Sequence, residues 1–406
     1  MSIVQRTVRL DAGDGTRYHC YIAIPESGSG PGLILLPDAH GAGDHMKHQA
    51  NLYAEEGWVV ALPDLYARQG GAQELGFDAL GNARAAELAA ALEPERALAD
   101  IAVACAALLG LPERVGALGI VGHGPGARLA LRFAAREPAI VCAVACSPNA
   151  IDADGVPPCP TVIHIGGSDP TFAPPMPATL ARVFAAQPQI ALHIYPNAAA
   201  NFEERNHHNY HRAAAGMARS RTLACLRAAL GPTYDLATLW DAHLFSEFAD
   251  RDVDVSMSTM VEEPYVLVVP TVTGGTGKRD LHRWYSDHFH YQNPVDTHIV
   301  PISRTVGTDR VVDEFVFCCT HDRVMDWLLP GIAPTGKTIE VPMIAVVNFR
   351  GSRLYHEHIW WDQASVLVQV GLLDPTGLPV TGAEQAAAIQ DETSPRNRLI
   401  ASWSSS

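Results

Sequence analysis

The pattern of apolar and polar positions changes character partway along the chain. Over roughly the first 230 residues, short apolar runs end in Gly, Pro or Asp: GLILLPD (32–38), WVVALPD (58–64), VGALGIVG (115–122), AIVCAVACS (139–147), PTVIHIGG (160–167) and IALHIYP (190–196). Ala-rich stretches of helical period lie between them, the longest at 83–110. Buried strands alternating with helices predict an α/β unit, a doubly wound parallel sheet with helices on both faces. Functional groups in such a sheet gather beyond the carboxyl ends of its strands. A helix through 213–231 closes the unit, and GPTYD (231–235) is the seam.

Beyond the seam the period becomes that of long half-buried strands. A helix at 236–248 precedes runs at 296–307, 310–322, 339–351 and 353–363, an α+β pattern with a curved sheet. Residues 325–337 read as a strand end and loop at the pocket mouth. The expected division is 1–232, 233–380 and a tail at 381–406 holding a short helix and a polar arm.

Composition narrows the partners. A formal charge of −15 argues against nucleic acid and anionic membrane surfaces, which need an excess of Lys and Arg. No apolar run approaches the ~20 residues of a membrane helix, and the N-terminus MSIVQRTVRL alternates like a strand instead of opening a signal peptide. A cytoplasmic protein acting on a small molecule is the resulting expectation. The eight cysteines form no C-x-x-C pair and mostly lie in apolar runs, so they read as buried free thiols.

The most suggestive turn is GIVGHGPGARLAL (119–131), a strand, a glycine corner and a helix. Gly122, Gly124 and Ala127 fit a dinucleotide fingerprint, but the next strand carries no acid before Asp152. With PDLYARQGG (63–71), HIGGSDP (164–170) and HIYPNAAANF (193–202), in the same order and at similar spacing, the segment resembles the dienelactone hydrolase family of α/β-hydrolases. The resemblance covers about residues 1–230. It implies an enol-lactone hydrolase with a Cys nucleophile, an Asp and a His.

Carried over residue by residue, the nucleophile position is Gly124, the Asp is Asp169 and the His position is Ala200. The residue that would donate its N–H to the oxyanion hole is Pro125, which has none. The family's acidic residue after the first core strand is matched by Asp38. Asp38, His40 and His123, with His45 and His48 nearby, could supply a replacement base or a metal site. NHHNYH (206–211) reads as a surface turn.

The second half centres on LYHEHIWWDQASVLVQVGLLDP (354–375). This stretch resembles the signature strand and following helix of SnoaL-like polyketide cyclases and ester cyclases. Their nuclear transport factor 2-like fold is a cone of sheet closed by helices around one pocket. The resemblance implies Asp362 as general acid/base. Period two places His356, His358, Trp360 and Asp362 on one strand face, and Tyr355, Glu357, Ile359 and Trp361 on the other. Asp362 also suits the N-cap of the helix that follows. His356 and His358 could form half of a metal site, with His243, Glu262 or His298 as third ligand. Further pocket candidates are His243 with Glu247, Tyr265, His321 with Arg323, and Trp327.

The leading expectation is acid/base chemistry on a carbonyl-bearing hydrophobic molecule in the C-terminal pocket, by Asp362, His358 and His356. In that reading the N-terminal site is vestigial, and no metal or other cofactor takes part. The alternatives are a lactone or ester hydrolase rebuilt around Asp38, His40 and His123, and a binding protein without catalysis. By analogy with cone folds, a homodimer is expected.

Overall fold

The buried runs of the first unit assemble into one eight-stranded sheet. In this computed structural model, residues 3–71, 75–152, 155–172 and 174–405 are described, and the chain divides into Met1–Thr233 and Tyr234–Ser406. The strands are β1 (Val4–Asp11), β2 (Arg17–Ile24), β3 (Gly30–Leu36), β4 (Val59–Pro63), β5 (Arg114–His123), β6 (Ile140–Cys146), β7 (Thr161–Gly166) and β8 (Ile190–Tyr195). Their order is β1-β2-β4-β3-β5-β6-β7-β8. β2 runs antiparallel to both neighbours, and the remaining pairs are parallel.

Alternation assigns the two faces of the sheet. Ile34, Leu36 and Ile120 pack with Ile101 and Leu108 of the helix Pro94–Leu109 and with Leu129 and Phe133 of the helix Pro125–Ala134. Leu33, Leu35 and Val121 face the other way, onto Met46 and Ala50 of the helix Asp44–Glu55 and Leu223 and Leu226 of the helix Arg212–Leu230. Those last two helices are also joined by charge. Glu56, wholly buried just after the first of them, meets Arg219 at 2.7 Å and Arg227 at 2.5 Å.

The second unit carries β9 (Met260–Val268), β10 (Thr273–Thr276), β11 (His298–Val306), β12 (Arg310–Thr320), β13 (Thr338–Arg350) and β14 (Arg353–Trp361), in the order β10-β9-β14-β13-β12-β11. Only the β14–β9 pair is parallel. Helices Leu236–Phe245, Val253–Ser258 and Gly277–Trp284 accompany the sheet, and two of them run on into wider π-type turns at Ser246–Asp250 and Tyr285–Phe289. Trp240, Leu281, Trp284 and Phe289 pack against Val266, Phe315, Phe317 and Met343 of the sheet. The segment 381–406, expected to be an arm, is partly built into this unit. Its helix Glu384–Gln390 buries Ala386 with Val316 and Cys318. Among the described residues, no helix is long and apolar enough to cross a membrane.

Candidate functional site

In the first unit the loops after β3, β5, β6 and β8 bring their side chains to the carboxyl edge of the sheet. β5 ends at His123, Gly124 turns the chain at φ 51° and ψ −119°, and Pro125 opens the helix at once. The flanking glycines are required by contact. A Cβ on Gly122 would lie 2.2 Å from the carbonyl oxygen of Gly126, and one on Gly126 would lie 2.3 Å from that of Pro37. Gly124 differs. A Cβ there would meet Asp38 at 3.7 Å and Asn201 Oδ1 at 3.8 Å, so only the left-handed backbone resists a side chain. Gly122→Ala should therefore fail to fold. Gly124→Ala should fold and lose about 1–3 kcal/mol, the usual cost of such a backbone, on urea denaturation.

Asp38 is buried and tightly held. Its carboxylate accepts from the His40 backbone N–H at 2.8 Å and from His45 Nε2 at 3.1 Å, and His40 Nδ1 lies 3.7 Å away. Burial works against this carboxylate, but the two histidines outweigh it and hold it far below the usual range. His40 donates through Nε2 to Asn82 Oδ1 at 3.0 Å. Burial disfavours its charge, yet Asp38 carries its pKa upward. The ring of Phe77 covers both imidazoles.

His123 heads a second cluster. Its Nδ1 lies 3.5 Å from Glu203 Oε1, while its Nε2 is buried without a hydrogen-bond partner among the described residues. The Ser147 hydroxyl donates to Glu203 Oε2 at 2.8 Å and accepts from the Asn201 N–H at 3.1 Å. Ser147 and Asn201 both sit at positive φ, 46° and 57°, which turns their loops toward Glu203. Burial opposes a charge on His123, but Glu203, with Asp38 and Glu204 behind it, raises its pKa. Burial pushes the neighbouring Cys146 thiol well above its ordinary value. The ligand atoms of His123, Cys146 and Glu203 lie within 4.8 Å of one another, close enough to share a metal ion.

The remaining positions carried over from the family do not form a triad. Asp169 is buried, and its carboxylate accepts the Thr171 N–H at 2.8 Å. Ala200 offers only its carbonyl, to Asn209 Nδ2 at 3.0 Å. The turn 206–211 is more than surface, because His207 reaches the edge of the Phe77 ring.

In the second unit, strand β14 alternates from His356 to Trp361, after a bulge that sets Tyr355 against Tyr265 and His356. The helices Leu236–Phe245 and Gly277–Trp284 cover the face opposite to the expected one. Glu357 and Ile359 point to the cavity, whereas Trp360 is 47% exposed. His356 accepts from Asn348 Nδ2 at 2.8 Å and stacks on Tyr265, whose hydroxyl is hydrogen-bonded to His358 Nε2 at 3.1 Å. These three residues form a polar group of their own, away from the cavity lining. His321 is buried in the loop after β12, with Nδ1 3.1 Å from Thr335 Oγ1.

Asp362 is exposed. It accepts from the Ala364 N–H at 3.0 Å and from Gln385 Nε2 at 2.7 Å, so it caps the helix Gln363–Gln369 and sits outside the cavity. Asp362→Ala should cost about 1 kcal/mol in denaturant unfolding, as loss of an N-cap does.

Of the expected pocket residues, Glu247 and Trp327 line the cavity and His243 adjoins it. His243 Nε2 lies 3.1 Å from Glu247 Oε1, 3.1 Å from Glu357 Oε1 and 3.3 Å from the Tyr285 hydroxyl. Burial disfavours charge on His243, but the two carboxylates lift its pKa to about 10. Burial raises the pKa of Glu357. His243 holds that of Glu247 down against burial. His243, Glu247 and Glu357 form a second group able to hold a metal ion. Glu203, Ser147, Glu357 and Tyr285 were not foreseen as site residues. The one available sign was the acidic pair 203–204, directly after NAAANF.

Residues 18–230 match the dienelactone hydrolase family, a span that lies inside the first unit. Carboxymethylenebutenolidase of Pseudomonas sp. (strain P51) is 27% identical over 222 residues, covering 54% of this chain and 93% of that protein. The enzyme of the same name from Pseudomonas putida is 25% identical over 221 residues, covering 53% and 93%. Among solved structures, a dienelactone hydrolase-like promiscuous phosphotriesterase from metagenomic libraries aligns with TM-score 0.48 and 19% identity, over 57% of this chain and all of that one. A dienelactone hydrolase from Anabaena variabilis aligns with TM-score 0.43 and 18% identity, over 57% and 100%.

Proposed function

Because the chain belongs, through residues 18–230, to the dienelactone hydrolase family, we propose that its first unit hydrolyses a lactone or related ester with water in place of a covalent nucleophile. Gly124 has no side chain to attack a carbonyl, and Pro125 has no N–H to receive the oxyanion. The observation that carries the reading is His123. One ring nitrogen faces Glu203, and the other is buried and unpartnered among the described residues, on the residue directly before the elbow's Gly124. An imidazole oriented by a carboxylate, with its other nitrogen left without a partner, is the arrangement of a general base.

In this reading His123 takes a proton from a water lodged where a nucleophile side chain would stand, and the resulting hydroxide attacks the carbonyl carbon. The helix Pro125–Ala134 begins at the same corner, so its positive end faces the developing oxyanion. As the C–O bond breaks, His123 returns its proton to the leaving oxygen. Asp38, His40 and His45 fix the loop after β3 beside the elbow.

His123 must be neutral to accept a proton, and its partners raise its pKa. The value of kcat/KM should therefore climb with pH through a midpoint above 6.5. Enol-lactone and p-nitrophenyl ester hydrolysis by the full chain tests this, and the ester should release p-nitrophenol with no initial burst. A burst, or a rate that falls as pH rises through that range, rejects the reading.

For the second unit we propose the SnoaL-like, nuclear transport factor 2-like fold. It is supported by the helices Leu236–Phe245 and Gly277–Trp284 packed on one face of a mostly antiparallel sheet and by the HEHIWWDQ strand leading into a helix.

A further inference from the structure

We propose that His243, Glu247 and Glu357 bind one divalent first-row transition-metal ion, Zn2+ or a neighbour, at the wall of the second unit's cavity. Every group involved lies in residues 234–406, so the inference is independent of the hydrolase reading.

The backbone brings three ligands of the right type together. His243 and Glu247 stand four residues apart, one turn along the same helix face. The helix Leu236–Phe245 widens into a π-type turn at Ser246, between the two. Such turns are rare and occur frequently at functional sites. Glu357 enters from β14, and all three residues are buried. His243 Nε2 lies 3.1 Å from an oxygen of each glutamate, and the three ligand atoms are within 4.8 Å of one another. An ion with bonds of about 2.1 Å spaces neighbouring ligands about 3.0 Å apart in an octahedron and about 3.4 Å in a tetrahedron. The nitrogen-to-oxygen separations fall between these two.

The hydrogen bonds of His243 suit a metal ligand. The Thr259 hydroxyl donates to the Ser256 carbonyl at 2.7 Å, which leaves it an acceptor for His243 Nδ1, 2.6 Å away. Metal-binding histidines commonly tie their second nitrogen to an outer oxygen in this way. Nε2 then faces both glutamates. A single hydrogen there serves one acceptor, and the hydrogen bond goes to Glu247 Oε1. Glu357 Oε1 is equally near Nε2, yet it is buried with no hydrogen-bond partner among the described residues. Buried polar atoms of native proteins are nearly always satisfied. An ion bonded to Nε2 reaches both oxygens at once.

Charge points the same way. Among the described residues no Lys or Arg lines the cavity, and its walls apart from Glu247 and Glu357 are apolar. Two carboxylates in such a wall call for two positive charges, which a divalent ion carries and a single imidazolium does not. An imidazole with two carboxylates suits Zn2+, Fe2+ or Mn2+ better than Mg2+, which prefers oxygen ligands. Because both glutamates lie on the cavity wall, the ion's remaining positions open toward its interior.

The test strips the full chain with a chelator, reloads it with Zn2+, desalts it and measures the metal retained. Wild type should keep one equivalent more than Glu357→Gln, a change of nearly equal shape that should preserve the near-UV circular dichroism. Glu247→Gln repeats the comparison on a second ligand. In a competition titration each variant should bind Zn2+ more weakly by at least the ~10- to 100-fold that loss of an outer-shell partner costs. Cys146→Ser, which alters the other candidate group, should keep the equivalent. Co2+ in place of Zn2+ should quench tryptophan fluorescence, because the Trp240 ring stacks on His243 at 5.7 Å, and Glu357→Gln should abolish that quenching. A wild-type chain that retains no Zn2+ overturns the proposal. So does equal Zn2+ in wild type and the folded glutamine variants, loss of all Zn2+ in Cys146→Ser, Co2+ loading that leaves the fluorescence unchanged, or displacement of Zn2+ by an equal concentration of Mg2+.

Discussion

His123→Asn should slow lactone hydrolysis on the order of 10²- to 10⁴-fold, the range that a positioned general base contributes. The loss should fall on kcat, because the proton moves only in the transition state and the substrate binds without it. Asparagine is small enough for the site, and its amide can still donate toward Glu203, so the fold should survive. Glu203→Gln should be milder. It keeps an oxygen to orient the ring but removes the charge that raises the His123 pKa, so the rise in rate should shift to lower pH. Equal kcat values for wild type and His123→Asn would place the chemistry elsewhere.

Glu56→Ala should cost the first unit about 3–5 kcal/mol in stability, the usual penalty for stranding a buried charge. Glu56 is wholly buried and meets both Arg219 and Arg227, so its removal leaves Arg227, itself buried, without its carboxylate partner. Arg219→Ala should cost less, since that side chain is 30% exposed and its charge is hydrated in either state. Urea denaturation of the full chain, with the two units followed separately, measures both. A loss below ~1 kcal/mol for Glu56→Ala would mean that water reaches Arg227 once the glutamate is gone.

The parallel core of the first unit was readable because each buried strand is a short apolar run closed by Gly, Pro or Asp, as in β3, β4 and β7. Strand β9 was hidden. Its sequence MVEEPYVLV sets two glutamates and a proline inside the run, and β10 is only TGGT. The elbow was legible down to its missing nucleophile, since glycine spacing is a local signal. Glu203 was not, because its meeting with His123 and Ser147 joins three loops distant in sequence. On β14 alternation sorted His356 to Trp361 correctly into two sets, but a bulge between Leu354 and His356 takes Tyr355 out of its set and against Tyr265 and His356. Which set the helices would cover depends on how the chain packs, and period two is silent on that. Asp362 shows the same limit. An aspartate before an apolar helix suits a cap and a catalytic acid equally well in sequence, and only its exposure and its bonds to Ala364 and Gln385 separate the two.

The corner at Gly124 has a last consequence, for robustness. A side chain at φ 51° and ψ −119° stores strain that the rest of a domain must hold in place. Glycine adopts that backbone freely, so here the spring is slack. The first unit keeps as spare tolerance the ~1–3 kcal/mol that a loaded corner consumes. It should therefore accept destabilising substitutions elsewhere that a nucleophile-bearing version of the same turn would not survive.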